Sequence, residues 1–129
     1  MLTVRPDPPS TLSLVGLVRH LTEVERVWFR ITVGGEPVGL VWSDEFDFQS
    51  AYDPTDCTRA EAFHAWHAEV EHSRSLERAA ESLDVTVWSE RWKEDVSLRM
   101  IMNHLVHEYA RHNGHADLLR EGIDGVTGA

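Results

Sequence analysis

The sequence predicts an all-α protein: a bundle of three long helices joined by irregular segments. Three observations carry this. Apolar residues recur at helical spacing within residues 12–32, 58–82 and 97–120. Side-chain oxygens suited to helix capping stand before these runs, and glycines close the first and third. No internal repeat or low-complexity segment competes with that pattern.

Residues 1–11 read as an extended, proline-rich lead, because Pro6, Pro8 and Pro9 exclude a helix interior. Ser10, Thr11 and Ser13 offer N-cap oxygens to a first helix over Leu12 to Thr32, which Gly34-Gly35 ends. Residues 33–57 look irregular. Val38 to Trp42 suggests a short strand, and Phe46, Phe48 and Tyr52 are expected to pin the loop to the body. Asp44, Glu45, Asp47, Asp53 and Asp56 read as a solvated face. Thr58 and Glu61 form a capping box that starts a second helix running to about Ser82. Val85 to Trp88 is β-branched and aromatic, hence a short extended piece, and Arg91 to Asp95 is a polar connection. The third helix spans Ser97 to Arg120, with Gly122 and Gly125 as its stop.

The chain's 129 residues fit a single domain, 1–129, with one core. Apolar content of 42% and charged content of 26% are those of a globular protein. No stretch approaches the length of a membrane helix, and the first residues lack the apolar core of a signal peptide, so a cytoplasmic protein is expected. The net charge of −10 argues against nucleic acid or an anionic membrane as partner, since both select basic surfaces. Cys57 is the only cysteine, and acidic neighbours disfavour its thiolate, so it reads as incidental.

Eight histidines are many for this length, and their placement decides what they mean. On a helical wheel Leu14, Leu17, Val18, Leu21, Val24 and Trp28 form the apolar stripe of the first helix, with His20 on its flank and Glu25 within it. Arg19, Thr22 and Arg26 lie opposite. On the third helix Ile101, Leu105 and Leu119 mark the inward face. Glu108 and His112 share that face, with His104 and His115 near its edge. A carboxylate at a core position is costly unless paired, protonated or bound to metal. Two ligands at i, i+4 can converge on one ion, and a third from a facing helix leaves open positions. The same spacing also suits a His–Glu pair that hydrogen-bonds to itself, and the residues alone leave that alternative open. His107 and His112 are five apart, so the His107-Glu108 string is not the HExxH zinc-protease arrangement. On the second helix Phe63, Trp66 and Val70 mark the inward face, so His64, His67 and His72 read as surface or supporting residues.

Three stretches, Ser10 to Phe29, Asp53 to Thr58 and above all Ser97 to Glu121 with its His104…His107-Glu108…His112…His115 series, resemble the DinB/YfiT-like superfamily. The likeness is greatest to an actinobacterial branch related to mycothiol-dependent isomerases and S-transferases. The resemblance implies a four-helix bundle holding a divalent metal through His20, Glu108 and His112. It implies an enzyme, a thiol S-transferase or isomerase acting on a small molecule with a mycothiol-type thiol. Zn²⁺ leads as the metal, with Ni²⁺, Fe²⁺ or Mn²⁺ as alternatives. His104 and His115 are candidates for supporting or acid/base duty, and Arg111 for binding a substrate carboxylate. Such proteins usually carry a long helix before the one with the first histidine, where this chain has only a proline-rich lead. Either the true start lies upstream or the bundle is completed otherwise, and a three-helix remnant would leave an apolar face. A homodimer covering that face is therefore expected. The alternative function is a non-catalytic, metal-stabilised dimeric module that binds a small molecule or a protein.

Overall fold

The structure, a computed structural model, describes residues 12–53 and 55–128. Three helices dominate it: α1 (Leu14–Glu25), α2 (Arg59–Ala79) and α3 (Leu98–Asp124). The expected lead over residues 1–11, with the Ser10 and Thr11 caps, lies outside the described residues. Ser13 is the N-cap, its Oγ accepting from Gly16 N at 3.0 Å. Thr58 and Glu61 close the capping box of α2 in both directions, at 2.8 and 3.1 Å. Helix α3 runs through Gly122 and stops at Gly125, whose φ of +74° is the left-handed cap that glycine takes without strain.

Several expectations need correction. The first helix stays α-helical only to Glu25. Arg26–Val33 continues it as a π-helical stretch, in which each turn holds an extra residue. Gly34 N closes it on Phe29 O at 2.7 Å. Val38 to Trp42 forms no strand: Leu40 is buried, and Val41 N donates instead to the Glu23 carboxylate at 2.8 Å. The stretch read as a polar connection is half of a hairpin. Strand β1 (Thr86–Ser89) pairs antiparallel with β2 (Glu94–Ser97). The architecture is thus mostly helical with a two-stranded sheet.

Helices α2 and α3 both pack on α1. The main core joins Val24, Trp28 and Phe29 to Val96, Leu98, Ile101 and Leu105. A second cluster sets Leu17 and Leu119 against Tyr52, from a 3₁₀ turn over Phe48–Tyr52. That turn covers Arg19, whose guanidinium donates to Asp53 O and Ser50 O, and both Arg19 and Thr22, expected to face water, are buried. Of the aromatics expected to pin the loop, Tyr52 is buried and Phe48 half-buried, but Phe46 is exposed. The five loop acids are exposed, as expected of a solvated face. No helix among the described residues is long and apolar enough to cross a membrane.

Candidate metal centre

His20 projects from α1, and Glu108 and His112 from α3, so the two packed helices bring them together. The Glu108 carboxylate lies 3.3 Å from His112 Nε2 and 3.6 Å from His20 Nε2. One ligand atom from each of the three lies within 4.8 Å of the others. The edge of the His112 ring meets the face of His20, with centroids 4.5 Å apart. His112 is 1% exposed.

These distances are compatible with a shared ion as well as with the hydrogen-bonded pair that the spacing left open. Both nitrogens of His20 and Nε2 of His112 are buried without a hydrogen-bond partner. Buried polar atoms are almost always satisfied. Two of these three orphans, His20 Nε2 and His112 Nε2, face the Glu108 carboxylate, which marks a place where something else can complete the set. Two imidazoles and a carboxylate at this separation fit one divalent cation at roughly 2.0–2.2 Å from each. The remaining His112 nitrogen is not idle: Nδ1 lies 3.1 Å from Nδ1 of His115. A partner on the far nitrogen fixes tautomer and ring orientation in metal-binding histidines. Tyr52 stacks on His20 at 4.8 Å and holds its ring plane.

The electrostatics agree. Burial, aided by the nearby His112, lowers the pKa of His20 to about 4. Burial and the Arg111 charge lower that of His112. Both are neutral near pH 7, the form that ligates metal. Glu108 loses stabilisation through burial, but the fields of His112, His20 and His104 outweigh this and keep its pKa below the usual carboxylate range.

His20 and Glu108 line a cavity of about 200 Å³, while His112 borders a separate one of about 290 Å³. His104 stands at its side, Nε2 3.7 Å from Glu108 Oε1, its ring packed edge-on between Trp28 and Trp92 at 5.0 Å from each. Burial lowers its pKa. Arg111 borders the same cavity, with Nη1 3.7 Å from Glu108 Oε1. The structure therefore gathers His20, Glu108, His112, His104, His115 and Arg111 in one place. His64 and His67 are exposed on α2, and His72 pairs with Glu36 at 2.5 Å. Cys57 lines a different cavity, beside Arg19 and Trp42.

Sequence reasoning missed three contributors. The sequence offers Tyr52 only as a loop anchor, and Arg91 and Trp92 only as parts of a polar connection. Each reaches the site by a fold-back that no periodicity announces.

A family model described as mycothiol-S-transferase matches residues 2–125 of the chain. Neither the curated proteins nor the solved structures contain a match.

Proposed function

The chain belongs to the mycothiol-S-transferase family, a DinB-type branch, and from that premise we propose that it is a metal-dependent thiol S-transferase or isomerase acting on a small molecule. The observation that carries the reading is the set of buried, unpartnered imidazole nitrogens facing Glu108 beside a cavity of about 200 Å³.

In this reading His20, Glu108 and His112 hold a divalent ion, Zn²⁺ first, with Ni²⁺, Fe²⁺ or Mn²⁺ suited to the same donors. Such an ion, when bound, lowers the pKa of a thiol that meets it, so that sulfur is available as thiolate at neutral pH. His115 orients His112, and Tyr52 orients His20. Trp28 walls the cavity beside His104, and Trp92 packs on both rings and limits water there. His104, neutral at pH 7, takes the thiol proton at Nε2 and returns a proton to the departing group. Arg111 meets the substrate at the rim. The protein works as a homodimer in the cytoplasm.

The test is elemental mass spectrometry on protein purified without a metal-affinity tag, followed by assays with mycothiol and electrophiles. About one ion per chain, lost in His112→Ala, with turnover abolished in a folded Glu108→Ala protein, is the expected result. No ion and no uptake on titration would leave the His-Glu-His set as a polar core and end the enzyme reading.

A further inference from the structure

Two guanidinium groups reach the rim of the cavity that contains His20 and Glu108: Arg111 from α3 and Arg91 from the hairpin. The chain has a net charge of −10, with 22 acidic residues against 12 basic ones, so a pair of cations at one small opening runs against its overall character. Six arginines have a carboxylate nearby: Arg26 and Arg30 pair with Glu69, Arg74 with Glu71, Arg99 with Asp84, Arg120 with Asp124, and Arg111 approaches Glu108. Among the described residues Arg19, Arg59 and Arg78 have none, but they do not border this cavity. Arg91 pairs with no carboxylate among the described residues. It lies over the Phe48 ring, 5.0 Å from the centroid.

The position of Arg91 is fixed rather than incidental. The hairpin turn between Ser89 and Glu94 is tied by Lys93 N to Ser89 O at 2.7 Å. Trp92, next to Arg91, packs on Trp28 with centroids 4.5 Å apart. Phe48 beneath the guanidinium belongs to the same 3₁₀ turn as Tyr52, which stacks on His20. Arg91 is thus held by the structure that shapes the site. Its charge is felt there: it contributes, after burial, to the lowered pKa of His104. Arg111 is largely solvated, 63% exposed, and its one carboxylate contact among the described residues is the 3.7 Å approach to Glu108. With Glu108 turned to the two histidines, the Arg111 fork keeps donors for another anion.

We propose that Arg91 and Arg111 form an anion clamp over the candidate metal centre, and that the small molecule processed there carries a carboxylate held at the rim. Planar guanidiniums match a carboxylate with paired hydrogen bonds, which fix orientation as well as position. A carboxylate on the clamp leaves the rest of a small substrate in the cavity beside His20, His104 and Glu108. The proposal rests on the reading of this cavity as the reaction site, and it names the charge class of the substrate.

Isothermal titration of the metal-loaded protein with succinate, and with its uncharged diamide succinamide, tests the clamp in wild type, R91Q and R111Q. Both arginines are exposed, and thermal melting confirms that the variants fold. The expected result is binding of succinate and not of succinamide, weakened about 10- to 100-fold by either substitution, as for a lost hydrogen bond to a charged group, with partial rescue in R91K. Succinate binding unchanged in R91Q and R111Q would mean that the ion alone holds the carboxylate, and would overturn the clamp. Equal affinity for the diamide, or no succinate binding by the wild type, would overturn it too. The metal-free protein separates the two ideas. Succinate binding there that is lost in R91Q keeps the clamp even where elemental analysis finds no ion.

Discussion

At the scale of single residues, the helix wheel goes far because it needs only angles. It places Glu108 and His112 on one face of α3 and His20 toward the interior, and the structure brings these three together. The wheel cannot see what lies across from a residue. Glu25, on the apolar stripe, is satisfied from other helices: Ser73 Oγ donates to it at 2.7 Å and Tyr109 OH at 2.8 Å. Buried Glu25 is therefore a structural anchor and half-buried Glu108 a candidate ligand, and only tertiary contacts tell them apart. His115→Ala is expected to leave the fold intact and weaken metal binding about 10- to 100-fold, measured by competition with a chelating dye. A pH dependence follows from the same burial. His20 has a folded-state pKa of about 4 against 6.5 when unfolded. The unfolded chain therefore binds more protons between those values. In metal-free protein the stabilisation is whole above about pH 6.5 and falls away as the pH drops toward 4, by on the order of 2–3 kcal/mol. His112 and His104 shift in the same direction and add to it. Urea titrations from pH 7.5 to 4.5 check this, and a flat profile would contradict the neutral buried histidines.

At the scale of elements, caps and helix existence are legible, while register and connections are not. The capping box at Thr58 is a local chemical device and appears where expected. The π-helical stretch at Arg26–Val33 is not, since propensity says nothing about an added residue per turn. The hairpin escapes notice because Glu94–Ser97 reads as polar, and its pairing with Thr86–Ser89 buries only Val96 and Ser89 fully. Two predictions belong here. A Cβ at Gly16 would stand 2.7 Å from Tyr52 O and 2.9 Å from Ser13 Oγ. Gly16→Ala should therefore cost about 1–3 kcal/mol, as overpacking does. It should also push the 3₁₀ turn outward, weakening metal binding along with thermal stability. Trp92→Ala removes the hairpin's hold on Trp28 and should cost about 3 kcal/mol, with faster amide exchange confined first to residues 86–97.

At the scale of the whole molecule, the arrangement leaves a valley. Between α2 and α3, over α1, lie an apolar cavity of about 290 Å³ bordered by Leu14, Leu21, Phe63 and Ala116, and another of about 370 Å³ bordered by Phe29, Trp66, Met102 and Tyr109. Val106 and Leu118 on α3 are 64% and 69% exposed. A partner covering this side would bury that apolar surface. The homodimer expected from the three-helix pattern predicts sedimentation at twice the chain mass at micromolar concentration, and Val106→Glu should return it to one chain. A wild-type protein that sediments as a single chain would overturn the dimer.

The candidate ligands also have a consequence for the chain as a polymer. One comes from the start of the described chain and two from near its end, so an ion between them ties a loop of about ninety residues, a length at which closing the unfolded chain costs several kcal/mol. The centre would then act as a clasp. Loaded, α1 and α3 should open only together, as one cooperative unit in hydrogen exchange. Emptied by a chelator, each helix should exchange at its own rate. The ion would thereby decide how many independently opening parts the molecule has.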